Sequence, residues 1–394
     1  MKVLTFSQKV TLSTNHGEHQ TNLICNPGER LLFDDDNALS IQSNPSSAAY
    51  VLEVSDLAPM LAEIPRPMHW KKKRVLFYRN RGVGDQLIVS ALSKFFREVL
   101  GADARQLCER VHEQFWAYNP NIAGVPISAP MHLDAVWRHR PARPFFDGAF
   151  FIESVSEWDT DGEQPNVYDR LYAICGLDPD RIPVRFKRPA FTLYADDIEK
   201  REAWLKAASD ATNCDLVKGY VIVQLRAANK GRSIPYHIGR RVLQAASQVA
   251  EKKSLHVLIS DDQPLPPEIA EMAQKLPRVI NVATKTPGVR LFGSLIGGAR
   301  AVIGPDSSAL HFAAAFETPA VGLWGPFAPD SRVKYYPNQT HLWHPEKCPS
   351  APCYNYLPSL PVQKCPRGQH QLSCEVFEGI TETELYSAIL EVLA

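Results

Sequence analysis

The sequence has little that would take it out of water. In 394 residues no apolar run approaches the roughly 20 residues needed to cross a bilayer. The opening stretch, MKVLTFSQKVTLSTNHGEHQ, lacks the continuous apolar core of a secretory signal. It also lacks a charge of one sign. Lys and Arg number 43 and Asp and Glu number 43, so no global field recruits nucleic acid or an anionic membrane. Eight cysteines are too few and too scattered for a secreted disulfide scaffold. These absences point to a soluble cytoplasmic protein with no transmembrane segment, long enough for two domains, each with its own core.

What is present is an alternation of strand-like and helix-like segments. Residues 1–72 differ from the rest: short alternating runs at Lys9 to Leu12, Asn22 to Cys25 and Arg30 to Phe33 are broken by Asn, Pro, Gly and an Asp34-Asp35-Asp36 triplet, which predicts a small β-rich appendage. The EIPRPM segment, Glu63 to Met68, is a proline-stiffened linker, and the basic run Lys71 to Arg74 leads into the next strand.

Arg74 to Tyr78 reads as an apolar strand and Asn80 to Gly84 as a glycine-containing turn. From Asp85 onward, apolar residues recur at three and four, which predicts a helix with Asp85 at its start. A strand over Arg143 to Ile152, a helix over Val167 to Cys175 ended by Gly176, and a charged helix over Asp197 to Ala208 complete a first domain spanning 73–205. From Gly219 the pattern is strand, helix, strand, helix, strand, helix, closing on Val289 to Gly298. Such close alternation specifies a doubly wound sheet, and this second domain spans 206–345.

The most informative stretch is Ala301 to Pro326, AVIGPDSSALHFAAAFETPAVGLWGP. It reads as a buried strand, a polar turn, an alanine-rich helix to about Glu317 and a second strand. Asp306 and Ser307 fall where a helix N-cap belongs, so the first free backbone N–H groups would face solvent at the carboxyl end of a strand, a place suited to phosphate. His311 lies four residues after Ser307 on the same helical face. Helical side chains lean toward the N-terminus, so its imidazole would point back at that anion. In the turn after Gly219 to Leu225, the cations Arg226, Lys230 and Arg232 are aimed at the same strand ends. Asp261, closing the strand Ser254 to Ser260, is placed to accept from ribose hydroxyls.

Strand, Asp-Ser, x-x-x-His, small-residue helix, Thr-Pro, strand and Gly-Pro resembles the donor-site signature of the ADP-heptose:lipopolysaccharide heptosyltransferases, glycosyltransferase family 9. The family usually has Gly where this chain has Ser308. The stretch RNRGVGDQLIVSAL resembles the opening of the same family, with Arg79 and Asp85 at its Arg and Asp positions. VHEQFWAYNPNIAGV, Val111 to Val125, resembles its helix and Asn-Pro turn. The appendage lies outside the resemblance.

The resemblance implies an α/β GT-B fold: two Rossmann-like doubly wound domains facing a cleft. It implies an inverting transfer of a heptose-like sugar from a nucleotide-diphosphate donor, an ADP-sugar by preference, to a hydroxyl on a glycan or other acceptor. Asp85 would be general base. Arg232, Asp306, Ser307, Ser308, His311 and Asp261 would surround the donor, and Arg79, Arg81 and Arg226 would meet acceptor or phosphate. No cofactor would be required for the chemistry.

The remaining residues, 346–394, hold Cys348, Cys353, Cys365 and Cys374 and a last helix, Ile380 to Leu393, expected to cross back to the first domain. The cysteine spacing is not that of a two-knuckle zinc ribbon, but members of the family carry cysteine-rich tails here, which implies a structural zinc. Two further readings stay open: a glycosyltransferase acting on a nucleic-acid base or a protein, the former supported by the Lys71 to Arg74 run, and a non-catalytic binder of nucleotide sugars.

Overall fold

The computed structural model of the chain describes residues 2–6, 10–16, 19–25, 30–33, 51–56, 71–78, 82–109, 123–127, 148–151, 166–228, 230–353 and 374–394. The N-terminal region forms β1 (Lys2–Phe6), β2 (Val10–His16), β3 (His19–Cys25), β4 (Arg30–Phe33) and β5 (Val51–Asp56). These make an antiparallel sheet in the order β4-β1-β5 and a separate hairpin, β2-β3. The expected β-rich appendage is therefore present.

The first parallel sheet follows: β6 (Arg74–Tyr78), α1 (Val83–Glu98), β7 (Asp103–Glu109), β8 (Ala123–Ile127) and β9 (Gly148–Phe151), in the order β8-β7-β6-β9. Helices α2 (Val167–Ile174) and α3 (Ala195–Thr212) lead on to the second sheet. There the chain runs β10 (Tyr220–Val223), α4 (Tyr236–Lys253), β11 (His256–Ile259), α5 (Pro267–Lys275), β12 (Val279–Asn281), α6 (Val289–Gly298), β13 (Ala301–Pro305), α7 (Ser308–Phe316), β14 (Ala320–Leu323), α8 (Asp330–Val333) and β15 (Gln339–Leu342). It ends on α9 (Glu382–Val392).

The second sheet has the order β12-β11-β10-β13-β14-β15, every pair parallel. This is the doubly wound order, whose direction reverses between β10 and β13, and ligands bind outside the strand ends at such a reversal. Both faces are covered, because successive strand residues alternate sides. Val221, Val223, Val257, Ile259, Ala301 and Ile303 pack under α4, α5 and α9. Tyr220, Ile222, Leu258 and Val302 face the other way, into a core shared with α3, α6 and α7. That second core runs without a break into Val75, Phe77, Leu87 and Phe96 of the first sheet and α1.

The two halves meet helix to helix. Helix α1 packs on α7, and α7 on α6, so the elements following β6 and β13 are held side by side with both N-termini toward the same space. The alanines of α7 allow this: Ala309, Ala313 and Ala314 are fully buried.

Three expectations are corrected. The last helix does not cross to the first domain; α9 lies on α4 and over β13, β14 and β15, with Leu385, Ala388 and Ile389 in the same core as Val242 and Val249. Its periodicity defines an apolar face, which the outer face of α4 covers, with Gln248 donating to Glu382 (3.2 Å) and Lys253 to the Leu393 carbonyl (3.2 Å) at the rim. A break at 205 falls inside α3, whose capping box at Tyr194 and Asp197 and left-handed Asn213 mark its true ends. Asp85 is the third residue of α1, not its first, because Gly82 occupies the cap. The linker Glu63 to Met68 and most of Val111 to Val125 lie outside the described residues.

No helix among the described residues is long and apolar enough to cross a membrane.

Candidate active site

The turn between β13 and α7 is built as its residues suggest. Ser307 is the N-cap of α7, accepting from the Ala309 N–H (3.4 Å) while its hydroxyl donates to Gln224 Oε1 at the end of β10 (2.8 Å). The first-turn amides of a helix have no partner within it and carry the positive end of its dipole, so this end of α7 favours an anion.

Asp306 is the electrostatic hub beneath that turn. Its Oδ2 lies 3.2 Å from Arg232 Nη1 and 3.6 Å from Arg332 Nε, and its side chain is only 4% exposed. Burial alone would push its carboxyl up, but Arg332, then Arg232 and His311, hold it below the usual range. Arg332 is itself buried, its guanidinium 4.6 Å above the Phe327 ring. Asp306 thus holds two guanidinium groups at the floor of the site and does not line the cavity above them.

His311 is 3% exposed. Its Nδ1 is 2.6 Å from the Tyr336 hydroxyl, and burial lowers its pKa to about 4, leaving the imidazole neutral. Across from it stands Gly84, the second residue of α1. A Cβ at Gly84 would sit 2.8 Å from His311 Cδ2 and 3.3 Å from Nε2. The two sequence signatures therefore touch, and glycine is what permits the contact. Gly84→Ala is expected to push the imidazole and the α7 turn away from α1, at a cost of about 1–3 kcal/mol of stability. Denaturant unfolding checks this; wild-type stability would mean that α1 yields without cost.

One cavity of about 770 Å³ joins these parts. Gly84 and Asp85 form one wall; Ser307, Ser308 and His311 form another; Gln224, Arg226, Arg232 and Arg332 line its base. Ser308 is the first residue of α7, and its Cα lies 3.6 Å from the Cβ position on Gly84. Arg226 is tethered by a hydrogen bond to the Pro264 carbonyl (2.9 Å), and Ser233 closes the loop by accepting from the Ala227 N–H (3.0 Å).

The cavity's far end changes character. Asp261 is buried; its Oδ2 accepts weakly from the Leu225 N–H (3.4 Å), while no hydrogen-bond partner of its Oδ1 is found among the described residues. Burial pushes its carboxyl up to about 6. Thr284, Thr286, Val289 and Phe292 complete a mixed polar and apolar end.

The structure thus brings Asp85, Arg226, Arg232, Ser307, Ser308, His311 and Asp261 together, with Asp306 directly beneath. Arg79 and Arg81 lie outside the described residues. Sequence reasoning missed Gln224, Gly84 and Tyr336, and it did not count Arg332 among the site residues. The glycine turn was the one available signal for Gly84. Of the proposed zinc set, Cys348, Cys353 and Cys374 are described and Cys365 is not. Among the described residues no group of three His, Cys, Asp or Glu is disposed to hold a metal.

Two parallel α/β sheets joined across a cavity at their strand ends are the arrangement of the GT-B fold. Residues 203–359 match the model of glycosyltransferase family 9 (heptosyltransferase), less than half of the chain. The fold is shared with ADP-heptose lps heptosyltransferase II of E. coli, at 12% identity and TM-score 0.57, covering 81% of this chain and 98% of that one. A glycosyltransferase family 9 protein from Veillonella parvula is similar at 12% identity and TM-score 0.59, covering 83% and 98%. The iron-containing dodecameric glycosyltransferase TibC from enterotoxigenic E. coli is similar at 14% identity and TM-score 0.51, covering 82% and 76%. No curated protein matches the chain by sequence.

Proposed function

We propose that the protein is an inverting transferase of a heptose-like sugar from an ADP-sugar to a hydroxyl acceptor, working in the cytoplasm. One observation carries the reading: Asp85 and the N-terminus of α7 line a single cavity. In this reading the donor diphosphate lies on the first-turn amides of α7, with Ser307, Ser308 and His311 around it and Arg232 beneath, and the nucleoside extends toward Asp261. Asp85 takes the proton from the acceptor hydroxyl as that oxygen attacks the anomeric carbon from the face opposite the diphosphate. The bond from the anomeric carbon to the diphosphate oxygen breaks, its electron pair leaves with the nucleoside diphosphate, and the configuration inverts. The developing charge meets helix dipole and guanidinium already in place.

Asp85 stands in the first turn of α1, where the helix dipole is favourable to a negative charge. The choice of ADP and heptose is supported by the names of the neighbours, an ADP-heptose transferase among them. Thermal-shift measurement with ADP, UDP and GDP tests the donor side. ADP at a hundred times its dissociation constant should stabilise the fold by about 2.7 kcal/mol, a rise of a few degrees. Arg232→Ala should abolish the rise; a wild-type protein indifferent to all three nucleotides refutes the reading.

A further inference from the structure

The buried hydrogen bond of His311 does not end at Tyr336. The Tyr336 hydroxyl is in turn 2.6 Å from the hydroxyl of Tyr168, a residue of α2. All three side chains are buried, and the two phenol rings meet edge to face with centroids 6.0 Å apart. Tyr168 belongs to a helix docked on α1, since Tyr172, one turn later, reaches the Ala91 carbonyl (3.3 Å). The same helix is tied to the other half around α8. Asn166 caps α2 and donates to the Asp330 carbonyl (2.7 Å), and Asp169 joins Lys187 (2.6 Å) and the Tyr335 hydroxyl (2.7 Å).

A neutral imidazole has one N–H and one acceptor nitrogen, and which is which is fixed by the partner of the other. Here the partner is at Nδ1, and Nε2 is the nitrogen nearest Gly84, with Asp85 next in the chain. If Nδ1 carried the proton, Nε2 would present a lone pair toward the Asp85 carboxylate and toward any anion on the α7 amides. If Tyr168 donates to Tyr336, and Tyr336 donates to Nδ1, the proton stands on Nε2 and the site gains one more donor facing the anion. A buried chain of hydroxyls of one polarity is also self-reinforcing.

We propose that Tyr336 and Tyr168 are positioning residues that fix His311 as its Nε2–H tautomer, so that the imidazole donates a hydrogen bond to the diphosphate. This rests on the donor-site reading above, and it makes the polarity of a group in the donor half depend on a side chain carried by the half that holds Asp85. The low proton affinity of the buried His311 fits, because a charged ring would donate from both nitrogens and have no tautomer to set.

The test is nitrogen NMR on the full chain labelled with ¹⁵N-histidine, in which two-bond proton–nitrogen couplings separate the tautomers and the His311 signal is identified by its loss in His311→Gln. The wild-type protein should show Nε2–H near neutral pH. Tyr336→Phe, which keeps the ring, should give mixed tautomers and bind ADP about tenfold more weakly, as expected for losing one hydrogen bond to a charged group. Tyr168→Phe should act in the same direction, about threefold, at the far end of the chain. An Nδ1–H wild type, or a Tyr336→Phe protein with an unchanged tautomer, overturns the inference. The wild-type spectrum decides even if both variants fail to fold. If ADP does not bind the wild-type protein, the donor-site reading fails; if it binds beside an Nδ1–H imidazole, this inference alone fails.

Discussion

Asp85→Asn should bind ADP as the wild type does and transfer sugar about 10²- to 10⁴-fold more slowly, the range by which a positioned base accelerates proton removal. At about 1.4 kcal/mol for each factor of ten, that is roughly 3–5 kcal/mol of lost transition-state stabilisation. Asparagine suits the test because it has the shape of aspartate. Gly82 caps α1 without any side-chain bond, so the helix does not depend on Asp85 as its cap. The carboxylate is half-buried at the cavity wall and its field reaches His311, so a small change in ADP affinity is compatible with the reading. The measurement is release of nucleoside diphosphate in single turnover, beside calorimetric binding. Wild-type turnover in Asp85→Asn would place the base elsewhere and leave Asp85 as a helix-start residue.

How much of this was legible in the chain differs from residue to residue. The α7 turn could be read because strand, polar turn and alanine-rich helix follow one another directly, and local spacing carries the geometry. Its caps fall where expected, at Ser307 and at the left-handed Glu317. Asp261 was legible as a carboxylate at a strand end, but its burial was not, since that depends on what β10 and the loop after β12 lay over it. Arg332 shows the limit most clearly. It lies beyond the next strand, after Gly325-Pro326, and only the fold brings it back to Asp306 as the second cation there. The last helix failed for a related reason: its periodicity reveals an apolar face without naming the surface that covers it. The meeting of Gly84 with His311 belongs to the docking of two halves, and no spacing within either half encodes it.

The largest stability effect is expected at Asp306. Asp306→Ala removes the counter-charge of two guanidinium groups, one of them almost wholly buried, and breaking a buried pair from one side costs about 3–5 kcal/mol. Asp306→Asn keeps an oxygen for Arg232 but not the charge, so it should recover part of the loss; equal losses would mean that shape, not charge, holds the turn.

The pH dependence has a definite sign. The Asp306 carboxyl is held below its ordinary value in the folded chain, so its contribution is complete above about pH 4, its unfolded range, and is lost as pH falls through the folded value. His311 acts in the same direction over a higher window. Lowered to about 4 from 6.5, it makes the unfolded chain the better proton acceptor between those values, so acidification across them also destabilises. Denaturant midpoints measured from pH 7 down to pH 3 should therefore fall in two stages. His341, also lowered to about 4, adds to the upper stage, Asp261, raised to about 6, opposes it, and Asp197, held low by Arg290, adds to the lower, so His311→Gln should diminish the upper stage and Asp306→Asn the lower. A lower stage undiminished in Asp306→Asn would show that the charge on Asp306 is not what secures the two arginines under the α7 turn.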